Sequence, residues 1–142
     1  MRQILIIIGI SVLLYSTFNG DFDKKKSLFV TDNIAGLVWQ DDYSDNEGVI
    51  KKDTWRDASL YCEELILGEK VDWRLPNDKE LKSLVHNRVV NSQFTNISYN
   101  HYWSSSSSES DSSNAWSVDL HGGYEFWDDK SNMLDVKCVR DK

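Results

Sequence analysis

With 142 residues, 40% hydrophobic and 27% charged, the chain has room for one domain with a real core and is too apolar for general disorder. Its net charge of -7 argues against nucleic acid as a partner and disfavours polyanions generally, because phosphate and sulfate binding rests on dense Lys and Arg contacts. Six Trp and six Tyr against a single Pro point to a loop-rich fold that is filled, or faced, by large rigid side chains.

Residues 1–20 form a separate block. Met1-Arg2 is a short basic start, Ile4 to Tyr15 is apolar, and Ser16 to Gly20 is small and polar apart from Phe18, which is the layout of a secretory signal peptide. The apolar part, about a dozen residues, falls short of the roughly 20 that span a bilayer. Export with cleavage is therefore expected, to a periplasmic, secreted or cell-surface location, with membrane contact only if the segment stays uncleaved. Residues 21–26 read as a linker in which Lys24-Lys25-Lys26 is solvated charge rather than a binding patch, and residues 27–142 as the domain. In an exported chain the even pair Cys62 and Cys138 normally oxidises to a disulfide; two free buried thiols are the alternative. Two cysteines and three scattered histidines do not make a metal site.

Ser27 to Val30 reads as a first strand, Asp32-Asn33 with Gly36 as a turn, and Leu37-Val38-Trp39-Gln40 as a second strand, together an edge hairpin. From Asp41 to Gly48 the chain is polar and acidic. No frame there matches the ligand spacing of an EF-hand, so a solvated loop is preferred to a calcium site and no cofactor is expected. Thr54, with Asp57 three residues on, opens a helix whose Trp55, Ala58, Tyr61, Cys62 and Leu65 share one face, and Gly68 is its natural stop. Cys62 thus lies on the buried face.

The stretch from Asp72 to Leu84 reads as an architectural corner. Trp73 belongs to the core, Arg74 pairs with a buried carboxylate or bonds loop carbonyls, and Pro76 extends Leu75 while permitting a helix directly afterwards. Asn77 with Glu80 gives a capping-box start, Leu81, Leu84 and Val85 form the apolar face, and His86 to Arg88 end the helix. Asn91 to Asn100 lacks periodicity and reads as a long loop of the kind that binds or packs on a surface; its Asn96-Ile97-Ser98 matches a glycosylation acceptor only as a three-residue pattern. Tyr102-Trp103 enters the core as a strand and leaves at Ser104 into a flexible polar loop that runs to Ser113. Trp116 to Leu120 and Tyr124 to Phe126 alternate apolar and polar residues, so with His121-Gly122-Gly123 between them they form a hairpin, and Val136 to Arg140 is the last strand.

Six strings in order carry a resemblance. They are Gly36-Leu37-Val38-Trp39-Gln40-Asp41; Thr54-Trp55 with Ala58 and Tyr61-Cys62-Glu63-Glu64-Leu65; Asp72-Trp73-Arg74-Leu75-Pro76-Asn77 with Glu80-Leu81; Tyr102-Trp103-Ser104-Ser105; Ala115-Trp116-Ser117-Val118; and Lys137-Cys138-Val139-Arg140. From about Ser27 onward the chain resembles the Lcl C-terminal domain family, a bacterial domain named after the C-terminal domain of a collagen-like adhesin. The resemblance implies an α+β, C-type-lectin-like fold, with two helices packed on small antiparallel sheets, a long loop region and one disulfide, Cys62 to Cys138. It makes Trp55, Trp73, Arg74, Pro76, Glu80, Trp103 and Trp116 architectural. In the adhesin this domain type is associated with sulfated glycosaminoglycans and with trimers beneath a collagen-like stalk. The present chain has no Gly-x-y segment and is acidic, so neither that ligand nor an oligomeric state carries over. It also lacks the Glu-Pro-Asn and Trp-Asn-Asp pairs of calcium-dependent sugar binding.

These readings converge on an exported binding or adhesion module. Its loop face, Phe94 to Asp111 with Trp116 to Trp127 beside it, would recognise a glycan or a surface protein. Tyr99, Tyr102, Tyr124 and Trp127 are the candidate ligand-binding residues, because sugar faces stack on rings while hydroxyls meet amides and carboxylates. The alternative is a structural or protein-interaction component of the cell envelope with no glycan ligand. Catalysis is disfavoured: His101, Ser104 to Ser108, Asp119 and His121 supply the residue types of a hydrolytic triad without a constrained nucleophile turn, and no catalytic residue is assigned.

Overall fold

The computed structural model describes residues 27–108 and 110–142, so the signal-peptide and linker expectations for residues 1–26 lie outside the described residues. The chain begins with β1 (Phe29–Asp32) and β2 (Leu37–Gln40), paired antiparallel from Phe29 opposite Gln40 to Asp32 opposite Leu37. The first strand sits two residues later than expected because Asp32 ends it and makes the turn from there. Its Oδ1 accepts from the Ile34 and Ala35 amides at 2.9 and 3.0 Å, and Gly36 closes the turn at φ +70. On its other side β2 pairs with the C-terminal β8 (Val139–Asp141), which makes β2 the central strand and explains why all four of its residues are buried.

Helix α1 (Trp55–Glu64) starts as its capping pair requires, with the Thr54 side chain accepting from the Asp57 amide, and it buries Ala58 and Cys62. It ends at Glu64. Gly68 lies beyond, at φ +60 in the Leu67–Lys70 turn, where a Cβ would come within 2.8 Å of the Phe29 ring. Helix α2 (Asp78–His86) has the complete capping box: Asn77 Oδ1 accepts from the Glu80 amide and Glu80 Oε2 from the Asn77 amide, each at 2.8 Å. A one-turn helix, α3 (Arg88–Asn91), follows where only the end of α2 was expected. Ahead of α2, Arg74 meets Glu80 with both guanidinium nitrogens at 2.8 Å and Asp141 at 3.0 Å, while its main chain bonds Val139 in both directions. The Trp73 to Pro76 corner therefore fastens the cap of α2 to β8.

The second sheet has the order β3-β7-β4-β5-β6, with β3 (Lys52–Asp53), β4 (His101–Ser108), β5 (Asp111–Asp119), β6 (Glu125–Asp129) and β7 (Leu134–Asp135). The serine run is strand in both arms of the β4–β5 hairpin, which corrects the reading of a flexible loop from Ser104 to Ser113. Low complexity is no bar to a ladder when the buried hydroxyls find partners and the others face water. Ser104 is wholly buried; its Oγ donates to the Trp116 carbonyl at 2.8 Å and its own carbonyl accepts from Trp55 Nε1 at 2.8 Å. The expected final strand, Val136 to Arg140, is likewise two pieces. Asp135 ends a strand of the second sheet, Val139 begins one of the first, and Val136 to Cys138 crosses between them.

Cys62 and Cys138 form the disulfide, Cα to Cα 5.4 Å, between α1 and this crossing. Around it lies one core cluster, with Trp73, Leu75, Trp103, Ala115 and Val136. A second cluster, with Trp39, Leu81, Leu84, Tyr102, Val118 and Val139, lies under α2. Directly opposed residues of an antiparallel pair share a face. Tyr102, Val118 and Glu125 therefore point to the α2 side, as do Trp116 and Trp127 two residues along, while Trp103, Ser117 and Phe126 point to the other.

Candidate functional site

The sequence candidates divide by depth. Tyr99 and Tyr124 stand out from the surface, 58% and 69% exposed, and Trp127 is 36% exposed on the edge strand β6. Tyr102 is wholly buried and drops out of the surface set. Its hydroxyl accepts from the Ser98 amide at 2.9 Å, and burial pushes its phenol up to about 12. Trp116, expected to be architectural, is 38% exposed, and its ring packs against Trp127, 4.8 Å between centroids.

A shallow cleft of about 430 Å³ opens between α2–α3 and the β5–β6 turn, lined by Val85, Arg88, Asn91, Ser92, Tyr99, Leu120 and His121. Tyr99 meets His121 edge-on at 6.4 Å, and the buried Leu120 lies against the floor. Asn91 is set by a bond from Nδ2 to the Leu84 carbonyl, and Gly123, at φ +74, lets the turn close on Val85. The cleft and the Trp116–Trp127 pair lie on the same side of the sheet, with the Lys82–Glu125 ion pair (3.2 Å) between them. One end thus offers a concave seat with an amide, a hydroxyl, a guanidinium and an imidazole, and the other a pair of indole rings. Sequence reasoning missed Arg88, Asn91 and Ser92 because they reach the cleft on the unforeseen α3 and the residue after it.

The loop that delivers Tyr99 is held by a buried polar cluster, also missed. Asp41 is wholly buried, which corrects its assignment to a solvated acidic loop; Tyr43 is buried as well, with its hydroxyl donating to the Val136 carbonyl at 2.9 Å. The Asp41 carboxylate accepts from the Thr95 amide and hydroxyl and from the Asn96 amide at 2.7–2.8 Å. Asn96 Nδ2 donates to the Asp41 carbonyl, so the amide of the acceptor tripeptide is part of this network. Asp135 accepts from Ser98 Oγ and from Asn100 Nδ2, and Lys52 Nζ stands 3.1 Å from its other oxygen. Lys137, also wholly buried, donates to the carbonyls of Gln40 and Asn96 at 2.9 and 3.0 Å, with its ammonium 4.3 Å from the Phe94 ring centre. Burial lowers its pKa to about 7 against the opposing pull of Asp41 and Asp135. A lysine between Val136 and Cys138 on a buried strand was the one available signal.

Among the described residues no group of three or more His, Cys, Asp or Glu could hold a metal ion, and no helix is long and apolar enough to cross a membrane.

This architecture is C-type-lectin-like. It is similar to the adhesin InvE of Yersinia pseudotuberculosis, with a TM-score of 0.55 at 15% identity over 82% of this chain and 34% of that one. It is also similar to botrocetin, with a TM-score of 0.53 at 9% identity over 81% of this chain and 97% of that one. The chain thus spans about a third of the InvE chain. Among curated proteins none matches in sequence. The profile of the Lcl C-terminal domain matches residues 28–140, and the chain belongs to that family.

Proposed function

We propose that this domain is an exported binding or adhesion module that takes a glycan or another cell-surface component at Tyr99 and the cleft it lines, with Trp127 on the same side of the sheet; Tyr124, two residues before Phe126, is not among the residues that line the cleft. The observation that carries this reading is a concave seat in which the exposed Tyr99 ring stands with amide, hydroxyl, guanidinium and imidazole side chains. Such a grouping suits sugars, whose faces stack on rings while their hydroxyls need directed partners. Likeness of fold to an adhesin supports it, and the Cys62–Cys138 disulfide suits an oxidising compartment.

The test is a glycan-array screen of the exported protein, run with calcium and with a chelator. A hit that survives the chelator and is lost in Tyr99→Ala is the expected result. No hit in either condition overturns the glycan reading; a hit that needs calcium sends attention to the Asp42–Asp45 segment. One observation favours a second reading, a protein contact in the envelope. Ile34 and Val89, both exposed, line a common groove that no aromatic ring lines, and a binding defect in Ile34→Asp with Tyr99→Ala unaffected would select it.

A further inference from the structure

Between Thr95 and Tyr99 the loop makes no main-chain to main-chain hydrogen bond with the described residues. Such a segment would ordinarily be free to wander, yet it carries the exposed Tyr99 ring of the cleft. Its position is set by side chains that reach in from other elements: Asp41 after β2, Tyr102 on β4, Asp135 on β7 and Lys137 on the crossing. Within this group the charges are unequal partners. Asp41 and Asp135 are two buried carboxylates, Lys52 reaches Asp135 from the surface, and Lys137 supplies the cation from inside, bonded to both Gln40 and the loop carbonyl of Asn96. The same ammonium lies against Phe94 at the start of the loop and faces the Tyr43 ring at 5.5 Å.

We propose that Lys137, acting with Asp41 and Asp135, is a positioning residue for the ligand face: it holds the 92–100 loop in the shape that presents Tyr99 beside His121 and itself touches no ligand. Its relevance to binding rests on the reading of Tyr99 as a ligand contact. The positioning is measurable without any ligand, so the two can fail separately.

The experiment is native-state hydrogen exchange on the wild type, Lys137→Met and Lys137→Arg. In Lys137→Met the Thr95, Asn96 and Ser98 amides are expected to lose at least tenfold protection while the β4–β5 and β2 ladders keep theirs, and Lys137→Arg recovers part of the loss. A purely structural role would lower protection everywhere, and that outcome, or an unchanged loop, overturns the proposal. A second readout is pH. The titratable groups facing Lys137 are Asp41, Asp135 with its partner Lys52, and Tyr43. Opening the loop returns Lys137 to water and to its ordinary value of 10.5, so the open state binds more protons between about 7 and 10.5. Protection of the loop amides, corrected for intrinsic exchange, is then expected to rise with pH above 7, by at most about tenfold per unit, and the slope to vanish in Lys137→Met. A slope that persists in the Met variant also overturns the proposal. If Lys137→Met does not fold, the nearly isosteric Asp41→Asn is expected to loosen the Thr95 and Asn96 amides selectively; uniform loosening, or none, overturns the proposal as well.

Discussion

The Trp73–Pro76 corner and the 92–100 loop are both irregular segments fixed by ionic side chains, yet they are built on different plans. At the corner the capping partners are close in sequence, while the further bonds of Arg74, to Asp141 and to the Val139 main chain, are remote. Arg74 meets Glu80 six residues on, and Asn77 exchanges bonds with Glu80 three residues on. In the loop they are remote: Asp41 reaches Thr95 across 54 positions, and Lys137 reaches Asn96 across 41. The capping part of the corner can form with the helix it caps, and its bonds to β8 then dock it on the first sheet. The remote arrangement of the loop exists only when both sheets and the crossing between them are in place, so it is the natural place for motion and for a surface that selects a partner.

The disulfide acts on both plans at once, and its loss is the largest effect expected. It closes a loop of 76 residues, for which the chain-entropy account gives about 4 kcal/mol. Cys62→Ala with Cys138→Ala should lower the denaturant midpoint accordingly with the fold retained at low temperature. A shift below about 1 kcal/mol would mean that the sheets hold the crossing without it.

The next effect in size is a pH dependence that belongs to the loop and has no counterpart at the corner. Because the folded-state pKa of Lys137 is about 7 and its unfolded value 10.5, the unfolded chain binds the extra proton in that window. Stability should therefore rise with pH from about 7, by at most about 1.4 kcal/mol per unit. Above pH 10 the sign reverses. Burial raises the phenols of Tyr43, Tyr61 and Tyr102, so the unfolded chain loses those protons first and stability falls. Thermal melts across pH 6–11 should show a maximum on the alkaline side, and Lys137→Met should flatten its rising limb.

Substitution can separate the two regions. Asp41→Asn removes a buried charge that accepts three short bonds and faces Lys137, and should cost about 2–4 kcal/mol. Arg74→Ala breaks a two-pronged pair, but the side chain is 40% exposed, so water replaces part of what is lost and the cost should be about 1–2 kcal/mol. The paired measurement is urea unfolding together with binding. Asp41→Asn should impair binding beyond its effect on stability, whereas Arg74→Ala should leave the folded protein's affinity unchanged. A folded Arg74→Ala protein that has lost its ligand would overturn the assignment of the corner to architecture.

The same contrast explains how far the sequence could be read. Both helix caps, the disulfide and the hairpins rest on spacings of a few residues or on cysteine count, and they appear where expected. The serine run was misread because composition stood in for pairing: Ser104 is buried next to Trp103 with its hydroxyl bonded to the Trp116 carbonyl, and the run continues as a ladder with β5. Asp41 was read as solvent-facing because its neighbours Asp42 and Asp45 are acidic; its burial depends on Thr95 and Asn96, which no local window contains. The depths of Tyr102 and Trp116 were not legible for a similar reason. Each sits in an alternating strand, and which face meets α2 and how far α2 extends over it are tertiary facts.

The smallest effect on stability should come from the residue with the largest effect on function. Tyr99 is more than half exposed, and its ring contact among the described residues, with His121, is itself at the surface. Tyr99→Ala should therefore change stability by no more than about 0.5 kcal/mol. If the loop is built to present this ring, its removal should still weaken binding of any array hit tenfold or more, a loss of about 1.4 kcal/mol concentrated in one exposed side chain. Trp127→Ala serves as the internal comparison, since its indole packs on Trp116 and its removal should cost both stability and affinity. Equal losses of affinity in the two variants would point to one extended surface running from the cleft across the Lys82–Glu125 pair to the indoles. A loss in Tyr99→Ala alone would confine the site to the cleft, and a loss in Trp127→Ala alone would separate the loop, however well it is held, from recognition.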